Sequence, residues 1–485
     1  VRHGEIHQNV RQYINGRWET SVTTGVSVNP SDTDEVVAEY ARGDRHQMEL
    51  AVRAAVDASA HWARSTPQRR ADVLDRIGSE LIERKDALGL LLAREQGKPL
   101  AEATTEALHA GRSFKFFAGE ALRHGATDGV RSLRAGVQMD VAHVPVGVVG
   151  VITPWSSPLA VPAAQIAAAL AAGNSVVFKP AELVPACGWA LAETLSRAAL
   201  PAGTFNLVMG SGREVGQSLV DSSQVDALSF TGSAAVGARV RQAALARRAR
   251  VQLETGGANT LVVLADADLA QAVDCAVQGA YASNGQRATA SSRLIVEATV
   301  HDAFVTRLRD RLAALKIGHA LTPGIDLGPL VDAAQLTRNL EAVALASEDG
   351  AERVWGGERL ARSQPGHYMS PALFLARPNH RMARQALFGP VACVLRAVDY
   401  EDALALTNDM PDSLGAALCT NSLQHAMHFR RHAKAGTTLV NMPTTGVDAF
   451  APLGGRTGAS DGSRETGRHT AASFYTTERT GYMPA

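Results

Sequence analysis

Between positions 46 and 119 apolar residues recur three and four apart, first Leu50, Val52, Ala55 and Val56, then Leu74, Ile77, Leu81 and Ile82, with Glu and Arg between them. That spacing lays one apolar stripe along an α-helix and predicts an outer helical layer. The pattern then changes. Four short apolar runs follow, GVVGVI at 147–152, SVVF at 175–178, FNLV at 205–208 and ALSF at 227–230, separated by helix-length stretches such as 160–172. Runs apolar at every position suit strands buried on both faces, and strands joined through helices pair in parallel. They predict a doubly wound α/β domain. A second alternation begins after Gly256, with LVVL at 261–264, RLIV at 293–296, VACVLRAV at 391–398 and TTLVN at 437–441. It predicts a second α/β domain, with the boundary near Gly256 and Gly257.

A chain of 485 residues fits two or three domains of roughly 100 to 200 residues each. Lys+Arg and Asp+Glu both number 48, a formal net charge of +0, which speaks against a nucleic-acid or anionic-membrane partner and for a small molecule. Cys187, Cys275, Cys393 and Cys419 are scattered singly among apolar neighbours. They read as reduced core thiols rather than a disulfide framework, and no metal site is expected. The first residues lack a continuous apolar core, and no run of about 18 uncharged apolar residues follows, so a soluble cytoplasmic protein is expected.

Two predicted strands end in glycine turns that open onto helices, GSGREVG at 210–216 and TGSAAVG at 231–237. Turns of this kind, here with Gly212, Gly232 and Ser233, let backbone N–H groups approach a phosphate, and they also serve as ordinary tight turns. In FKPAE, Lys179 and Glu182 follow a strand at its carboxyl end, where open α/β sheets bind ligands. Lys179 can donate to a ribose diol and Glu182 accept from it; each is equally the charge of a solvated loop.

Taken in order, PVGVVGVITPW at 145–155, FKPAE at 178–182, FTGS at 230–233, LETGG at 253–257, GQRATASSR at 285–293, LFGPV at 387–391, VNMP at 440–443 and PLGGR at 452–456 resemble the serial motifs of the aldehyde dehydrogenase superfamily. The resemblance spans essentially the whole chain. The tail VNMPTTGVDAFAPLGGR is similar to bacterial α-ketoglutaric semialdehyde dehydrogenases. The resemblance implies a Rossmann-type dinucleotide-binding domain (1–124 and 144–256), a catalytic-type α/β domain (257–456) and a small β oligomerisation element (125–143 and 472–485). It also implies a homodimer or homotetramer. Trp155, Lys179, Glu182, Gly212, Gly232 and Ser233 fall at positions that would hold NAD or NADP.

The family presents a cysteine thiolate in the turn after GQ, which attacks the aldehyde carbonyl so that hydride can pass to NAD(P). Here that position is Ala288, and a methyl group is no nucleophile. Thr289 and Ser291 are nearby hydroxyls off the matching position. The family's oxyanion asparagine after PW is Ser156, a shorter donor. The glutamate before φFGP, which holds the nicotinamide ribose, is Ala386, and the lysine after ELGG is Ala258. Glu254 in LETGG persists at the position of the family's general base, although a hydrogen-bonded structural carboxylate is also compatible with it. Ser157 and Ala164 replace a Phe and a Trp of the aldehyde tunnel, which opens space for a ligand unless Phe114, Phe116, Phe117 or Phe450 refills it.

Three expectations follow. A repurposed enzyme would use Glu254 as acid/base on a bulky small molecule, in a pocket of Ser157, Ala164, Thr289 and Phe450. A non-catalytic binding or partner subunit would tolerate loss of the centre. An inactive Cys-to-Ala variant of an NAD(P)-dependent dehydrogenase would have lost the nucleophile alone. In each case NAD(P) binding is expected to be weak or absent.

Overall fold

The computed structural model describes residues 7–123, 128–385, 387–410, 413–445, 448, 450–455, 460, 467 and 473–484. Ala386 lies outside the described residues. Two seven-stranded sheets form the body. The first runs Arg250–Glu254, Ala227–Thr231, Val148–Ile152, Ser175–Lys179 and Phe205–Leu207, all parallel. The hairpin Gln12–Ile14 and Arg17–Glu19 closes its far edge antiparallel. Chain order reverses at Val148–Ile152, flanked by Ser175–Lys179 and by Ala227–Thr231. Beyond the carboxyl ends of these strands lies the crevice where such sheets take ligands.

The periodic stretch forms four helices, Arg45–Ala63, Pro67–Glu83, Lys85–Gln96 and Leu100–Arg123. Asp44 caps the first by accepting the Gln47 N–H at 2.8 Å. Thr66 caps the second, with Pro67 in its first turn, where a missing N–H costs nothing. Their stripes, including Leu74, Ile77, Leu81, Phe114 and Phe117, form one core with Ala160–Ala171. That helix is buried over ten of its twelve residues. Its alanines let it lie between the sheet and Leu100–Arg123.

The second sheet runs Glu352–Trp355, Ala372–Leu375, Val391–Ala397, Arg293–Glu297, Thr260–Val263, Gly415–Cys419 and Thr437–Val440. Only the edge strand Glu352–Trp355 pairs antiparallel. Val262, Ile295, Cys393 and Leu395 face one core; Leu261, Leu294 and Val394 face another. The passage from the first sheet to the second occupies the few residues between Glu254 and Thr260.

A three-stranded antiparallel sheet joins Asp128–Arg131, Val137–Pro145 and Thr476–Pro484. The terminal strand starts only at Thr476, because Phe474 and Tyr475 before it are buried in the first core. A further sheet of His7–Val10, Asp32–Arg42 and Thr23–Asn29 carries no clear sequence signal, since the charges of DTDEVVAEYAR blur its alternation. Among the described residues no helix is long and apolar enough to cross a membrane.

Candidate active site

At the end of strand Ser175–Lys179 the Lys179 side chain is 5 % exposed, and burial pulls its ammonium from an ordinary 10.5 down to about 8. Glu182 stands three residues on, but it is engaged by Arg42, whose Nη2 lies 2.6 Å from Glu182 Oε1. Arg42 ends a strand 140 positions earlier, a pairing the sequence does not reveal. Across the crevice Gly232 donates its N–H to the Glu254 carbonyl at 3.0 Å, and a Cβ there would strike the Phe230 ring at 2.6 Å. Ser233 begins helix Ala234–Ala246 without a side-chain cap. Its first turn therefore has free N–H groups at the crevice. Gly212 opens a short turn after Phe205–Leu207, with the Lys179 strand between it and Val148–Ile152.

The loop after Val148–Ile152 carries Trp155, Ser156 and Ser157. Trp155 meets Phe388 edge-on at 5.5 Å, a contact between the first sheet's loop and the LFGP segment. Beneath the loop is a buried ion pair, Lys98 Nζ to Glu106 Oε2 at 2.5 Å. Lys98 also donates to the Ser156 carbonyl at 2.9 Å. Glu106 accepts the N–H groups of Leu159 and Ala160 at 3.0 and 3.3 Å, capping the start of Ala160–Ala171. A charge pair with all these bonds satisfied fixes the loop that carries Ser156. Neither residue stood out in the sequence. Ala164 is buried and Ser157 half-buried. Phe114 and Phe117 belong to the first core, while Phe116 stacks on Phe450 at 5.0 Å.

The turn leading to Ala288 is strained. Ser283, Asn284 and Gly285 take φ of 51°, 57° and 63° in succession, and non-glycine residues held there cost roughly 1 to 3 kcal/mol each. Tertiary contacts hold them. Asn284 Nδ2 donates to Gly328 O at 2.6 Å. A Cβ on Gly285 would lie 2.1 Å from the Gly389 carbonyl oxygen, and one on Gly389 would strike the Asn339 side chain, so both positions need glycine. Arg287 pairs with Glu102 at 2.5 Å. Asn259 Nδ2 donates to the carbonyls of Ala288 and Ala290 at 2.7 and 3.0 Å, while its Oδ1 accepts from Leu414 and Gly415. The turn is thus held by its backbone and leaves the 288 side chain half-buried.

Opposite stands the strand of Glu254. It runs into Gly256, at φ 69°, where a Cβ would lie 3.5 Å from Ala288 Cβ. Glu254 is 3 % exposed and accepts from Ser460 Oγ at 3.1 Å. Ser291 bonds Thr444 at 2.6 Å, and Thr444 donates to the Thr289 carbonyl at 2.7 Å. That chain consumes the Ser291 proton. All four cysteines are buried. Burial pushes the Cys187 thiol well up and that of Cys393 up to about 12, so both stay protonated at neutral pH. Ala258 is buried. Among the described residues no group of His, Cys, Asp or Glu is arranged to hold a metal.

The structure therefore brings Gly232 to the Glu254 carbonyl, Gly256 to Ala288 and Trp155 to Phe388 of the LFGP segment, with Lys179 at a strand end of the first sheet and Glu182 and Ser233 just beyond strand ends of it. Comparison with known proteins bears on the chain as a whole. The description of the aldehyde dehydrogenase family matches residues 18–480. The chain is 37 % identical to alpha-ketoglutarate semialdehyde dehydrogenase of Haloferax volcanii, over 97 % of this chain and 98 % of that one. It is 36 % identical to alpha-ketoglutaric semialdehyde dehydrogenase of Bacillus subtilis, over 97 % of each. The crystal structure of betaine aldehyde dehydrogenase from Staphylococcus aureus in complex with NAD+ superposes with a TM-score of 0.95 at 30 % identity, covering 99 % of this chain and 95 % of that one. Motifs, fold and overall similarity agree, and the chain belongs to the aldehyde dehydrogenase family.

Proposed function

We propose that this family member works without a cysteine nucleophile, with Glu254 as acid/base on a carbonyl compound bulkier than a simple aldehyde. One observation supports this reading: Gly256, two residues past Glu254, lies against the turn at Ala288, which brings the chain that carries the carboxylate to a side chain with no reactive atom. A carboxylate beside a bound carbonyl can take a proton from the adjacent carbon and return it, with charge on the oxygen meeting a donor such as Ser156. No electrons leave the substrate in that step. Ser157 and Ala164 are smaller than the aromatic side chains that the family has there, which supports a ligand larger than a simple aldehyde.

Lys179, Gly232, Ser233 and the open first turn of Ala234–Ala246 fit the adenosine and phosphate portions of NAD(P), which would supply a hydride acceptor if bound. Arg42 on Glu182 favours weak binding. That pairing also supports the second reading, a non-catalytic binding subunit. We also infer self-association through Thr476–Pro484, an outer strand with Tyr482 61 % and Met483 57 % exposed. Light scattering that returned only the 51.1 kDa chain would refute this.

α-Ketoglutaric semialdehyde, the compound in the relatives' names, is the first probe. Incubated with the protein in D2O, it should exchange protons next to its carbonyls, and Glu254→Gln should stop the exchange without unfolding the chain. Robust NAD(P)-dependent oxidation would overturn the reading. Absence of both reactions would leave the binding subunit. Ser157→Phe with Ala164→Trp should stay folded and block the ligand; a variant that binds as well as the parent removes the widened pocket.

A further inference from the structure

Arg293 opens strand Arg293–Glu297, five residues past Ala288, and is 0 % exposed. None of its Nε, Nη1 and Nη2 atoms has a hydrogen-bond partner. Buried polar groups are nearly always satisfied, and a guanidinium stays charged under any condition a folded protein meets. The charges around it offer no relief. Arg384 has the same sign, and Asp409 is spent on Arg384, with Nη2 to Oδ2 at 2.6 Å. Cys393, its lateral neighbour on the next strand, is a neutral thiol. On the other side Arg293 is in register with Thr260, so the two side chains leave the sheet on the same face. Thr260 is also 0 % exposed, and its Oγ1 is also unpartnered. An idle cation and an idle hydroxyl thus project from adjoining strands into one otherwise apolar core with Val262, Ile295 and Met382.

We propose that Arg293 heads a closed binding site for a small monovalent anion, a chloride or a formate-sized carboxylate, with the Thr260 hydroxyl on the adjoining strand available to it. The size follows from enclosure, because a fully buried guanidinium among apolar side chains leaves no path for a larger ligand to remain solvated. The single charge follows from the single cation. Such an anion would neutralise the core one layer behind the turn at Ala288, in the half of the molecule that also holds the LFGP segment. This inference does not depend on the reaction proposed for Glu254.

The test is thermal unfolding of the full chain at constant ionic strength, with sodium gluconate exchanged stepwise for sodium chloride or sodium formate. Gluconate is too large for the site. A ligand bound only by the folded state raises the midpoint saturably, by about 1 to 2 °C for a chain of this length when it is tenfold above its dissociation constant. The parent should show that rise. Arg293→Met, which keeps the length and removes the charge, should be flat and should melt at or above the parent in gluconate, since it lacks the uncompensated charge. An equal rise in Arg293→Met overturns the proposal, as does a flat parent. If the variant does not fold, bromide-soaked crystals of the parent decide. An anomalous peak within hydrogen-bond distance of the Arg293 guanidinium supports the site, and peaks confined to the surface refute it. A response to one of the two salts alone identifies which anion the site takes.

Discussion

On the first-sheet side, Lys179 stands at a strand end and Trp155, Glu182 and Gly232 just beyond strand ends, where a nucleotide is proposed to sit. On the second-sheet side, the turn at 283–288 keeps three consecutive left-handed residues and ends in a methyl group. Both regions retain their backbone. They differ in what a single side chain contributes. In the crevice, the groups proposed to meet a nucleotide are spread over free N–H groups, one buried ammonium and a glycine whose Cβ would clash, so the proposed site does not rest on a single side chain. In the turn, the chemistry that the resemblance implies rests on one sulfur atom, while the backbone around it is held by Asn259, Asn284 and Gly389 without touching that atom. A scaffold of this kind can lose its reaction without losing its shape.

Several measurements can break this contrast. The largest expected effect concerns aldehyde oxidation. With hexanal, benzaldehyde or α-ketoglutaric semialdehyde and NAD or NADP, turnover should fall on the order of 10⁴ to 10⁶ below that of a cysteine-bearing relative. Ala288→Cys alone should not restore it, because Ser156 and Ala386 remain; full recovery would reduce the second side to one missing atom.

A second measurement sharpens the first side. Folded Lys179 titrates near 8 against an ordinary 10.5, so between those values the unfolded chain binds more protons. Stability should therefore rise with pH across that window, by on the order of 3 kcal/mol at most, and Lys179→Met should lack the rise. The parent and variant must be compared directly, because the buried Cys187 and Cys393 thiols act in the opposite sense. Identical slopes would mean that the ammonium is solvated.

Calorimetry with ADP-ribose follows. Lys179→Met should weaken binding roughly ten- to hundred-fold, and NAD should bind no tighter than ADP-ribose, since the nicotinamide end lacks its carboxylate. An NAD affinity far above that of ADP-ribose would restore function to the second side. The smallest effect is expected from Arg42→Ala. Freeing Glu182 from a half-exposed ion pair should tighten ADP-ribose by at most about fivefold. A weakening would make Arg42 part of the ligand site rather than its competitor.

Much of this molecule was legible in the chain. Eight of the fourteen strands in the two large sheets follow from apolar runs, and the candidate site residues from motifs near strand ends, because local periodicity and turn chemistry record both. Strand Gly415–Cys419, GAALC, escaped notice because a short run rich in Ala and Gly lacks a β signature, and Ala372–Leu375 because four residues are too short a run to stand out. The supports of the site were hidden for another reason. Arg42 meets Glu182 across 140 positions, Lys98 meets Ser156 across 58, and Asn259 meets Ala288 across 29. A polar residue carries no local mark of the partner it will find. The idle state of Arg293 was equally invisible, since RLIV reads as an ordinary strand with a charged first residue.

The left-handed turn also has a kinetic consequence. Its conformation is unfavourable until Gly328, 44 positions on, and Gly389 have arrived to hold it. The turn should then form after the folding barrier, so replacing Asn284 should speed unfolding and leave the folding rate nearly unchanged. Residues 283–285 would act as a latch that closes on an almost finished domain, setting how long the native state lasts rather than how quickly it is reached.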